Sequence, residues 1–66
     1  EILLEEVRAV HELDDEHRFV GIMCLLYDIP VEKVALLASL SVELTRALRH
    51  EAIVQVRAKL GLAPLS

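Results

Sequence analysis

The 66-residue sequence has a single cysteine, Cys24, so no disulfide can close within the chain. One lone thiol suits a reducing compartment. Glycine is nearly as scarce. Gly21 and Gly61 are the only two, and no glycine-rich loop exists to cradle a phosphate. Long apolar runs are missing. The longest, Phe19 to Tyr27, spans nine residues, whereas a bilayer-crossing helix needs about 20. The basic leader and small-residue cleavage site of a secretory signal are absent too. The chain begins at Glu1 rather than methionine, as a processed or excised piece would. These absences point to a soluble cytoplasmic protein without a membrane span. Positive charge is also short. The net charge of −4 argues against a free-standing nucleic-acid binder.

Chemistry-bearing constellations are equally thin. His11, His17 and His50 do not fall at the three- or four-residue spacing that sets two metal ligands on one helix face. Cys24 sits inside the apolar run, where a thiol behaves as a small hydrophobe. Glu12, Asp14, Asp15 and Glu16 crowd a helix junction, where capping and solvation account for them. Catalytic carboxylates would need a pocket that separates their pKa values. No Ser, His and Asp arrangement is present. The expectation is a protein that is not an enzyme and holds no metal or cofactor.

Apolar residues, by contrast, are abundant. They make up 55% of the chain, and the mean hydropathy is +0.46. A domain this small buries only about 60% of its unfolded surface. The surplus predicts self-association, most simply as a homodimer. Charge is divided along the chain. Residues 1–30 carry eight acids and two arginines, and residues 31–66 three acids and five bases. Such a split can separate an acidic assembly half from a weakly basic contact half.

The periodicity is helical throughout. Leu3, Val7, Val10 and Leu13 form an apolar stripe over residues 1–13. Asp14 or Asp15 suits the N-cap of a second helix running to about Tyr27. That helix is apolar on nearly every side, a pattern that demands burial all round. In so short a chain this predicts a second subunit as neighbour. Pro30 suits the first position of a third helix, which runs from about Val31 to Ser39 and is striped by Val34, Leu37 and Ala38. Ser41 is placed to cap a fourth from Val42 to about His50, with Leu44 and Leu48 on its inner face. Residues 51–60 suit either a further helix, which is favoured, or a short β-branched strand. The whole reads as one all-α domain, residues 1–66, a small dimeric bundle of four to five helices. Residues 1–27 would supply the dimer interface through Leu3, Val7, Val10, Phe19, Val20, Met23, Leu26 and Tyr27. Gly21 would let a neighbouring helix approach.

Residues 31–50 then have the outline of a helix-turn-helix. Ala35 and Ala38 are small where two helices must cross, Ser41 can cap the second, and that helix carries bases. Arg46, Arg49, His50, Arg57 and Lys59 are the candidates to reach phosphates or base edges. Ser39 stands where such turns usually have glycine. The same residues also describe an ordinary helical hairpin in a bundle.

From Ile29 to Leu48 the chain resembles the FlhD-like family of flagellar transcriptional regulators. The resemblance rests on Ile29, Glu32, Leu37, Ala38, Leu40, Ser41 (threonine in the family) and Leu48, in register without a gap. An apolar helix ending just before Ile29 agrees in kind. The resemblance implies a helical, dimeric subunit of a transcription activator, itself acidic, that binds DNA well only with a partner subunit. Val42 to Ala47 shows no identity with the family, and the chain is shorter than its members, so no contact residue carries over. The sequence therefore predicts a small dimeric regulator, or a subunit of one, contacting DNA weakly or only with a partner protein. The alternative is a docking, adaptor or anti-activator module that binds protein and not DNA.

Overall fold

A computed structural model of the chain describes residues 2–62, with side chains from Leu4 onward. The described residues form helices joined by short turns, without a strand. The helices are α1 (Ile2–His11), α2 (Asp15–Gly21), α3 (Val31–Ala38) and α4 (Val42–Lys59). A π-helical segment, Ile22–Leu26, prolongs α2 directly. No described helix is long and apolar enough to cross a membrane.

Local chemistry accounts for each boundary. Asp14 caps α2, its Oδ1 accepting the His17 backbone N–H at 3.0 Å. The prolonged helix closes with the Tyr27 N–H donating to the Ile22 carbonyl, and with Asp28 in the left-handed region at φ 61°. Pro30 stands just before α3 as its N-cap, rather than as its first residue, and its carbonyl accepts from Lys33 and Val34. At the other end Ser39 takes φ 58°. The Leu40 N–H then reaches the Ala35 carbonyl at 2.9 Å and the Ser39 N–H the Leu36 carbonyl at 3.3 Å. This pair of bonds is a Schellman ending, with serine in the seat that glycine usually takes. Ser41 caps α4 at once, its Oγ accepting the Leu44 N–H at 3.0 Å. Residues 51–59 continue α4 without interruption, so the strand alternative does not arise.

The core consists of two clusters strung along α4. The first joins α1 to the C-terminal half of α4 through Ala9, Val10, Leu13, Ala52 and Val56. The second joins α2 and α3 to its N-terminal half through Val20, Cys24, Val34 and Leu48. Between them lies α2, whose contact with α4 is the most extensive in the fold. Burying a valine side chain such as Val10, Val20 or Val34 stabilises by about 1.5–3 kcal/mol. An exposed ion pair contributes roughly 0–1 kcal/mol. The clusters, and not the surface charges, hold the bundle together.

This arrangement corrects several expectations. The apolar second helix does not need a second chain to cover it. Ile22, Leu25 and Leu26 pack on the first cluster, while Met23 packs on the second, so the chain supplies both neighbours itself. The wider π turn helps distribute these side chains between two cores. Val10 and Val20, proposed above for a dimer interface, have essentially no exposed surface and belong to the interior. Val7, Met23 and Leu26 are half-buried, and only Phe19 and Tyr27 of that set are exposed. The side chain of Leu3 lies outside the described ones. Gly21 does permit a close approach, but within the chain: a Cβ there would sit 3.1 Å from Val10 Cγ1.

Two stripes also differ from the expected ones. On α3 the buried residues are Val34 and Ala35, and Leu37 faces solvent. On α4 they are Thr45, Leu48, Ala52 and Val56, and Leu44 is exposed. Thr45 is tolerable in the core because its hydroxyl donates to the Ser41 carbonyl at 2.8 Å.

Candidate functional site

The outward side of α4 is the candidate contact surface. Its buried stripe follows a 3-4-4 spacing; Arg46 and His50 stand away from that stripe, and Arg49 borders it, all three exposed. Arg46, His50 and Arg57 recur at four and seven residues, which aligns them along one side of the helix. Lys59 lies two residues past Arg57, about 200° further round at 3.6 residues per turn. It reaches back to Glu12 Oε1 at 3.7 Å, tying the end of α1 to the end of α4. The fold thus separates Lys59 from the row to which its charge alone assigned it. Arg57 is half-buried and borders a hollow with Glu6, Leu25 and Leu62.

Arg46 and Arg49 share an open hollow of about 320 Å³ with Cys24, Asp28, Ile29, Pro30, Val31 and Glu32. Arg46 Nη2 lies 3.6 Å from Glu32 Oε2 across the α3–α4 junction, with both side chains largely exposed. That contact is long and solvated, so little energy opposes its release to another anion. Arg49 makes no ion pair with any described residue. The acids of α4 itself, Glu43 and Glu51, pair with neither arginine, and Glu51 is engaged by His17. Cys24 lies at the base of the hollow. Burial pushes its thiol up, against a smaller opposing effect of the Arg49 charge. A thiol held protonated is a poor nucleophile.

The strongest polar constellation is one that residue spacing did not reveal. His17 Nδ1 lies 2.6 Å from Asp14 Oδ1, and its Nε2 lies 2.6 Å from Glu51 Oε1. A carboxylate can only accept, so an imidazole facing one at each nitrogen must donate from both. The geometry therefore describes an imidazolium. Its hydrogen bonds to Glu51 and then Asp14 raise the His17 pKa, with burial opposing them. The same contact lowers the pKa of Asp14. With both ring nitrogens engaged, no lone pair faces a metal. Among the described residues no group of three histidine, cysteine or acidic side chains is placed to hold one. Glu51 is 34 residues from His17, and only the packing of α2 on α4 brings them together.

Compared with known proteins, the chain matches no family model, no curated protein and no solved structure.

Proposed function

We propose that this chain is a small, non-enzymatic transcriptional regulator, or a subunit of one. It would act in the cytoplasm as a dimer and meet DNA through the exposed side of α4. In this reading α3, the turn at Ser39–Ser41 and the first half of α4 serve as a helix-turn-helix. Arg46, Arg49 and His50 contact phosphates or base edges. One observation carries the reading: Arg49 and His50 project without ion-pair partners among the described residues, on a helix whose start is set by a left-handed turn and a serine cap. The net charge of −4 makes unaided binding weak, so a partner subunit would complete the surface. The resemblance to the FlhD-like regulators supports the same assignment.

The test is fluorescence anisotropy with a short mixed-sequence duplex, comparing wild type with Arg46→Ala/Arg49→Ala. For every phosphate that the variant no longer neutralises, the slope of log affinity against log salt should fall by about 0.9. An unchanged slope would show that these arginines do not touch DNA. The second reading, a docking or adaptor module that binds protein only, draws on the exposed Leu36 and Leu37 of α3. It predicts no duplex binding at any salt concentration.

A further inference from the structure

We propose that His17, Asp14 and Glu51 form a proton-controlled latch, which pins the corner between α1 and α2 to the middle of α4 and releases it when the imidazole loses its proton. Packing sets the place. His17 shares one face of α2 and its extension with Val20, Gly21 and Cys24, which follow it by three, four and seven residues. Val20 and Cys24 belong to the second cluster, while Gly21 lies against Val10, Leu13 and Ala52 of the first. Glu51 stands on α4 between Leu48 of the one cluster and Ala52 of the other. The latch therefore closes on the seam where the two clusters meet. Its ring is only 13% exposed, whereas both carboxylates reach water.

A neutral imidazole has one N–H. Its other nitrogen then turns a lone pair toward a carboxylate oxygen 2.6 Å away, and that carboxylate must withdraw. The two acids are not equally free to do so. Asp14 is fixed by its second role as the cap of α2, where the same Oδ1 accepts the His17 backbone N–H. Glu51 has no other hydrogen bond or ion pair with a described residue, and its side chain is 57% exposed. Proton loss therefore leaves the hydrogen on Nδ1, keeps Asp14 and lets Glu51 swing into water. Among the described residues these two acids are the charged groups that act on the ring. Arg18, next in sequence, is held by Asp15, and Glu12 of α1 is turned to Lys59. The cap of α2 survives in both states, but the tie to α4 lasts only while the ring is charged. The latch is closed on the mildly acidic side and opens as pH rises above the free imidazole value of about 6.5. Glu51 stands five residues past Arg46, about 140° round α4 at 3.6 residues per turn. The inference is therefore independent of whether α4 meets DNA.

Two measurements on the full chain test it. The first is an NMR titration of the wild type, following the imidazole nitrogens of His17 and the side-chain carboxyl carbon of Glu51. The expected result is a ring protonated at both nitrogens in mild acid that becomes the Nδ1–H form in mild alkali, with the Glu51 carboxyl signal shifting along the same curve. A ring that ends as the Nε2–H form, or a Glu51 signal indifferent to the titration, overturns the proposal. The second is a double-mutant cycle with His17→Ala and Glu51→Ala, read by urea denaturation on variants shown by circular dichroism to fold. In mild acid the coupling between the two positions should change the unfolding equilibrium constant by about twofold to fivefold. In mild alkali no coupling should be left. A coupling of equal size at both pH values, or none at either, overturns the proposal as well.

Discussion

His17 and Gly21 are the two residues whose neighbours most constrain what can replace them. His17 needs its proton to satisfy Asp14 and Glu51 together. Its pKa is raised in the folded chain, so its contribution to stability is complete below the free imidazole value of about 6.5 and is lost as pH rises through the raised value. Asp14 acts in the opposite sense. Its pKa is lowered, so its contribution holds above the free carboxylate value of about 3.9 and disappears as pH falls through the lowered one. The histidine link is therefore strongest on the mildly acidic side of neutrality. Thermal melts should show wild type losing stability as pH rises above the free imidazole value of about 6.5. His17→Gln should flatten that dependence, at a cost of about 1 kcal/mol or less on the acidic side because both carboxylates are solvated. A profile unchanged by the substitution would show that the latch does not form. At Gly21 the constraint is space. Gly21→Leu would drive a side chain into Val10, Leu13 and Ala52. Such overpacking should destabilise by about 1–3 kcal/mol or more, measurable by urea denaturation.

Among the elements, the α3–α4 connection is the most tightly specified. Three consecutive residues perform separate tasks. Ser39 adopts the left-handed conformation, Leu40 closes the Schellman bond and Ser41 caps the next helix. A non-glycine residue in the left-handed region costs about 1–2 kcal/mol, and the Ser39 side chain makes no compensating hydrogen bond with a described residue. Ser39→Gly should therefore stabilise the chain by about 1 kcal/mol. Ser41→Ala should destabilise it by a similar amount through loss of the cap. Opposite shifts in melting temperature from two serines two residues apart would verify that the turn is built this way. Much of this was legible in the sequence, because caps and helix stops are local. Residue type alone placed Ser41 as a cap, set Pro30 within one residue of its place at a helix start, and narrowed the cap of α2 to Asp14 or Asp15. The stripes of α3 and α4 were less legible. Leu37 and Leu44 have core chemistry, yet Ala35 and Thr45 hold the inner positions, because closely packed helices select side chains by size as well as by hydropathy.

At the scale of the whole molecule, charge and apolar surface set the terms of any function. Residues 1–30 are strongly acidic, and the bases of residues 31–66 are partly spent on them, as Lys59 is on Glu12. His17 meanwhile holds Glu51 close to α2. On α4, Arg46, Arg49 and His50 remain exposed to an anion. Duplex binding by the chain alone should be weak, confined to low salt, and strengthened by a partner that brings its own positive charge. The apolar surplus was visible in the composition, but which side chains carry it was not. Most of the run from Phe19 to Tyr27 packs against two clusters of the same chain, and large apolar side chains emerge at Tyr27, at Leu36 and Leu37 of α3, and at Leu44 and Val54 of α4.

The sequence by itself determined the helical character of the chain, the places where helices begin, and the basic row on α4. These depend on periodicity and capping, which act over a few residues. Only the tertiary structure decided which apolar residues are core and which are surface. It alone joined His17 to Glu51, separated Lys59 from the arginines and turned Leu36 and Leu37 outward. Those outcomes depend on how α4 divides its length between two clusters, and no local pattern encodes that division.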